Sequence, residues 1–162
     1  MQLPFRFRST RTFIALGALL GLTACDLYPD TGKWGGDLTV NDAVLSQTYT
    51  CAADADITHT ETVISLNSLD VYCGSASMHW APSALTRRGT GLFLGDNQVG
   101  QIYGDGTVQI EIPDPYENVQ YPRHPDKIDI TWTRMGEDLQ FTLTEWYGPN
   151  ARSMEASLLR MQ

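Results

Sequence analysis

Few side chains in this 162-residue chain have types and spacing that could carry chemistry. Three are cysteines: Cys25, Cys51 and Cys73. Cys51 and Cys73 are not arranged as C-x-x-C, which argues against a zinc half-site and against a dithiol redox motif. What remains for such a pair is a disulfide, wherever the compartment is oxidising. A second group is Asp54, Asp56, His59 and Glu61, in the stretch DADITHTE. Carboxylates and an imidazole could hold a cation. On a strand, however, His59 and Glu61 share a face while Asp56 points away. Two ligands do not make a site, so no metal is expected and the stretch reads as a polar strand edge. His79 lies between Met78 and Trp80, and His124 lies among prolines. No Ser or Cys nucleophile motif stands beside either. No glycine-rich phosphate loop opens a helix. The chain therefore reads as non-enzymatic, with no catalytic residue and no cofactor. Arg87-Arg88 is a dibasic pair that could hold an anion. Adjacent side chains diverge on a strand, so the pair reads as part of a solvated loop.

Cys25 has a different setting. Residues 1–12 carry Arg6, Arg8 and Arg11 and no acid, and residues 13–22 are ten in a row without charge. Ten residues are about half of a membrane-spanning helix and fit the apolar part of a signal peptide. Leu22-Thr23-Ala24-Cys25 closes the run: an aliphatic residue, two small ones, then cysteine. In these residues the chain resembles a bacterial lipoprotein precursor. The resemblance implies diacylglycerol on the Cys25 sulfur and cleavage just before it. Acyl chains contribute about 0.8 kcal/mol per buried methylene, so two or three make a nearly permanent anchor. Asp26, directly after the cysteine, resembles the inner-membrane retention signal of enteric bacteria. The implied place is the bacterial envelope, facing the periplasm, with the inner membrane favoured and the outer membrane as the alternative. Export leaves Cys51 and Cys73 as an even pair in an oxidising setting, so a disulfide is expected. Its loop of about twenty residues would stabilise the fold by roughly 3 kcal/mol.

The charge narrows the partners. The whole chain carries −8. Without residues 1–24 it has 8 basic against 19 acidic residues, a net −11. Such a surface repels phosphate backbones, which excludes nucleic acid, and it gains nothing from anionic lipid. The membrane is reached through the lipid on Cys25. A basic protein or a small ligand is left as partner.

The elements that must position these residues are strands. In GTVQIEIP, Val108, Ile110 and Ile112 alternate with polar residues. Asp105-Gly106 reads as a two-residue turn placing Tyr103 opposite Val108. In KIDITWTRMGEDLQFTLTEWYG, a turn at Gly136-Glu137 sets Trp132 opposite Phe141 and Ile130 opposite Leu143, so both apolar sets fall on one side. Upstream, strands are expected in GDLTV, LSQTYTC, DITHTETVISL and DVYCGSASMHW, with breaks at Asn41-Asp42, Ala52 to Ala55 and Asn67-Ser68. Met154, Ala156 and Leu158 alternate in a last strand. Residues 81–90 and 113–126 read as loops. The expected fold is all-β: an antiparallel meander of about 8–10 strands, closed into a barrel or folded as a sandwich. The divisions are a cleaved signal peptide (1–24), the lipidated cysteine with a short tether (25–33) and a single β domain (34–162).

Gly32-Lys33-Trp34 resembles the G-x-W opening of the calycins, the lipocalin and avidin barrels. That resemblance implies a calycin-like barrel with Trp34 plugging one end. It covers a few residues, and no ligand position carries over. Lysozyme-inhibitor lipoproteins are similar in size, anchor and acidity, and CGSAS (73–77) resembles a Ser-rich segment of theirs. The expectation is thus a lipid-anchored periplasmic β domain that binds or scaffolds something in the envelope. The alternatives are a small-ligand barrel and an inhibitor of a basic envelope enzyme such as lysozyme.

Cys25→Ser should leave an uncleaved precursor that a fatty-acid probe does not label. Continued maturation and labelling of that variant would remove the lipoprotein reading.

Overall fold

The computed structural model describes residues 28–113 and 125–162. The signal segment, Cys25, Asp26, His124 and most of the 113–126 loop lie outside the described residues. The described chain is all-β, with eleven strands. They are β1 (Gly32–Asp42), β2 (Gln47–His59), β3 (Val63–Cys73), β4 (Ala76–Trp80), β5 (Leu85–Arg88), β6 (Gly91–Leu94), β7 (Asn97–Ile102), β8 (Val108–Pro113), β9 (Lys127–Met135), β10 (Asp138–Tyr147) and β11 (Asn150–Arg160).

All pairings are antiparallel, and every strand but β4 belongs to a ring of hydrogen-bonded neighbours. β1 pairs β11, so the two ends of the domain meet, with Trp34 opposite Arg160. β3 completes the ring by serving two partners. Its first residues, Val63 and Ile64, pair β5, while Leu69 to Cys73 pair β4, which lies outside the ring. Period-two alternation sends one face of each long strand inward. Trp34, Leu38 and Val40 of β1, Ile128, Ile130 and Trp132 of β9, Leu139, Phe141 and Leu143 of β10, and Met154, Ala156 and Leu158 of β11 all join one buried cluster. Side chains fill the interior. The gap between Ile64, Leu85, Ile110 and Ile130 measures only about 10 Å³, no more than one water needs.

The β9–β10 hairpin has the expected register, Trp132 opposite Phe141 and Ile130 opposite Leu143. The disulfide joins Cys51 on β2 to Cys73 at the end of β3, with Cα atoms 4.5 Å apart. Several local expectations are corrected. Ala52 to Ala55 is not a break: β2 runs through it, and Ala53 and Ala55 are buried where a larger side chain is not needed. Asn67-Ser68 is not a break either. Ser68 pairs Asp56 and Leu66 pairs Ile57, so Asn67 is the extra residue of a β-bulge. That bulge resets the alternation, which lets Leu66 and Leu69 both point inward. The break expected at Asn41-Asp42 falls two residues later: β1 runs through Asp42, the turn takes residues 43–46, and buried Asp42 accepts from Leu45 N and Arg152 Nε. Within 81–90, residues 85–88 form β5, too short and too polar to stand out in sequence. The β7–β8 turn is one residue longer than expected. Ile102, not Tyr103, faces Val108, and Gly106 takes φ +85° at the end of a three-residue loop.

Trp132 is fully buried, whereas Thr131 is on the other face. Trp132→Ala should cost about 3–5 kcal/mol in urea melts, and Thr131→Ala well under about 1 kcal/mol. Equal losses would contradict this register.

Candidate functional site

One end of the ring gathers the ends of β2, β5, β7 and β9 and the starts of β1, β3, β6, β8 and β10. The chain enters the fold at this end through Tyr28, Pro29, Asp30 and Thr31. The sequence places these residues in a tether, but the structure packs them across the ring. Thr31 Oγ1 donates to the His59 carbonyl and accepts from His59 N, at 2.8 and 2.9 Å. Trp34 Nε1 donates to the Asp30 carbonyl at 2.8 Å, and Arg134 Nη1 to the Pro29 carbonyl at 2.9 Å. Arg160 donates to the Thr31 carbonyl and stands 5.9 Å over the Trp34 ring. Trp34 is fully buried beneath this end.

Asp30 is the charged centre of the arrangement and only 5% exposed. His59 Nδ1 lies 2.8 and 2.9 Å from its two oxygens, and Trp132 Nε1 donates to Oδ2 at 2.8 Å. Burial alone would push this carboxyl up. The hydrogen bonds from His59 and Trp132 outweigh that and hold it below its ordinary value of 3.8. The far side of the imidazole fixes its tautomer. Arg87 Nη1 is 3.1 Å from His59 Nε2 and can only donate. Nε2 therefore accepts, and Nδ1 carries the proton given to Asp30.

Above these residues opens a cavity of about 430 Å³, lined by Tyr28, Pro29, His59, Arg87, Ile102 and Arg134 among others. Two guanidiniums share this cavity with two carboxylates, Asp105 and the buried Asp30, which is already paired with His59 and Trp132. Arg87 spends Nε on the Gly89 carbonyl and Nη1 on His59 and the Thr60 carbonyl. Arg134 spends Nε on the Gly136 carbonyl and Nη1 on Pro29. In each, the Nη2 amino group has no partner among the described residues. Two such groups can grip a carboxylate, sulfonate or phosphate. The Tyr28 ring lies tilted against the His59 ring with centroids 4.7 Å apart, is 5.5 Å from the Arg87 guanidinium and supplies an apolar wall.

The residues singled out in sequence are dispersed. Of the DADITHTE group only His59 reaches the cavity. Asp54 and Asp56 face outward on β2, and Glu61 is exposed in the next turn. Among the described residues no three potential metal ligands cluster. His79 is exposed and pairs with Asp70 at 2.6 Å. Arg87 and Arg88 diverge as strand neighbours must, but Arg87 is not merely solvated: it caps His59. Arg88 turns to the Phe93 ring and, at 3.6 Å, to Asp96. Tyr28, Asp30 and Arg134 were not legible as site residues. Nothing in a short polar stretch marks Asp30 as buried, because its partners come from β2 and β9.

No protein-family model and no curated protein matches the chain. Among solved structures it resembles the crystal structure of Rv2717c from M. tuberculosis. The TM-score is 0.53 at 12% identity, over 84% of this chain and 95% of that one. The likeness extends to the fold.

The depressed Asp30 carboxyl contributes stability above about pH 3.8, lost as the pH falls through its lower folded value. Asp30→Asn should cost about 2–3 kcal/mol at neutral pH. The gap to wild type should narrow below about pH 3.8 in urea melts run across the acid range. A gap independent of pH would mean that the charge of Asp30 is not what holds this end.

Proposed function

We propose that the chain is a lipid-anchored protein of the bacterial envelope, facing the periplasm. Its β domain is a non-enzymatic binding module for a small organic anion. The anchor is Cys25, and Asp26 favours the inner membrane. One observation carries the binding reading: the cavity of about 430 Å³ in which Arg87 and Arg134 each keep an amino group without a hydrogen-bond partner among the described residues. Its volume falls at the small end of the range for ligand pockets, about 300–1,000 Å³. Its walls, Tyr28, Pro29 and Ile102, suit an apolar or aromatic body behind the charged head.

Two further points support binding over catalysis and over a cargo held deep in the ring. No Ser, Thr, Cys or Lys is among the described residues lining the cavity, and His59 Nε2 is occupied by Arg87. The interior beneath is packed with side chains, so a ligand would sit at the end of the ring.

The test is a fluorescence titration with 8-anilinonaphthalene-1-sulfonate, an aromatic body with one anionic group. Wild type should give a single saturable site that weakens with added salt. Arg87→Gln and Arg134→Gln should each weaken it about tenfold or more, the worth of a hydrogen bond to a charged group. Melting curves serve as the check on folding. Equal binding by wild type and both variants would reject the pocket.

A further inference from the structure

We infer that the cavity opens toward the bilayer and takes the anionic head of a membrane-resident amphiphile. This rests on the anchored, anion-binding reading above and adds the source of the ligand.

The argument starts from chain length. Tyr28 and Pro29 line the cavity, and Cys25 is three residues before Tyr28. Three residues span at most about 11 Å when fully extended. Acyl chains on Cys25 sit in the hydrocarbon, and the headgroup layer is only about 5–7 Å deep on each side. The end of the ring that holds Tyr28 therefore cannot leave the lipid surface, whatever path residues 25–27 take. The opposite end, with the β1–β2 and β10–β11 turns, is held away by the length of the strands.

The side chains around this end fit that position. Met135 and Leu159 are 62% and 60% exposed, and Met161 and Tyr103 are also well exposed. All four sit at strand ends or just beyond them, on the side where the chain enters. Lys33 is on the same side, at the start of β1. Apolar tips beside a long cationic side chain and a tyrosine are the usual mixture at a membrane interface. Glu61, Glu137 and Asp138 lie at this end too, so the rim as a whole is not basic. Inside the cavity, Arg87 and Arg134 stand with Asp105 and with Asp30, whose carboxylate is already held by His59 and Trp132. Arg87 and Arg134 present fixed donors to a phosphate or carboxylate at headgroup depth, where the dielectric is lower and such contacts strengthen. The apolar wall of Tyr28 and Ile102 lies where the body of an amphiphile would continue toward the bilayer.

The experiment uses the full acylated protein reconstituted in phosphatidylcholine vesicles. With Cys51 and Cys73 in a disulfide and Cys25 acylated, a thiol introduced by Met135→Cys or Leu45→Cys can be labelled alone with an NBD fluorophore. Both positions are exposed, at opposite ends. Lipid carrying a doxyl group should quench the label at 135 strongly and the label at 45 little. Equal or reversed quenching would overturn the orientation. Ligand source is read by energy transfer from tryptophan to dansyl-labelled phosphatidic acid in the same vesicles, with dansyl-labelled phosphatidylcholine as control. Phosphatidic acid should be preferred about tenfold, and the Arg87→Gln/Arg134→Gln variant should lose the preference. If phosphatidic acid is not preferred while anilinonaphthalene sulfonate still binds, the pocket takes a soluble anion. The inference then fails and the binding reading stands. If neither binds, the pocket reading falls as well. If the protein is never acylated, the anchor reading falls on its own.

Discussion

The buried carboxylate of Asp30 is the constraint on which this end of the molecule depends. A desolvated charge is tolerated only when its hydrogen bonds are made, and the partners of Asp30 come from distant parts of the chain. His59 ends β2, and Trp132 is on β9, 102 residues along from Asp30. Satisfying one side chain therefore fixes where the chain enters, where β2 stops and how β9 is turned. The Asp30 carbonyl takes Trp34 Nε1 as well, so the first core residue of β1 is fixed by the same residue. His59 passes the constraint outward. Oriented by Asp30, it presents a bare ring nitrogen to Arg87, and that bond together with the Thr60 and Gly89 carbonyls sets the guanidinium in the cavity wall.

The far end is held by a different cluster. Asp42 is buried, accepts from Leu45 N and ion-pairs with Arg152, which also reaches Glu145. Burial would raise the Asp42 carboxyl, but the bonds from Leu45 and Arg152 leave it below 3.8. Each cluster ties a residue at or near one end of β1 to a residue more than 100 positions away. Their chemistry differs in one respect. Arg152 spends its donors on two carboxylates, so this end is electrically closed. At the entry end, the hydrogen bonds of Arg87 and Arg134 among the described residues go to carbonyls and to the His59 ring rather than to carboxylates.

What was legible in the sequence follows from what is local. The β9–β10 hairpin could be read to the residue, because strict alternation on both sides of Gly136-Glu137 allows one register. The Cys51–Cys73 pair was readable by parity once Cys25 was set aside. Where local composition misleads, the reading failed for identifiable reasons. Ala52 to Ala55 lacks bulky β-formers yet sits mid-strand, because Ala53 and Ala55 face a crowded interior. Asn67 looks like a breaker and is a bulge, a feature defined only by its partner strand. β5 has one apolar residue, Leu85, and owes its existence to β3 and β6. The site was the least legible part. Tyr28, Asp30, Arg87 and Arg134 form no sequence motif, and only the closure of the ring brings them together.

That closure has a consequence for how the protein is made. β1 pairs β2 on one side and β11 on the other, and β11 follows roughly 120 residues later. Until β11 docks, the folding chain carries an open edge on its first strand, next to any neighbouring chain. Contacts this distant in sequence also make the final step slow. The composition of β1 suits such a wait. GKWGGDLTVND holds three glycines, a lysine and two aspartates against few bulky apolar residues. An edge of that kind is a poor template for intermolecular pairing, so the strand exposed longest is among those least inclined to aggregate.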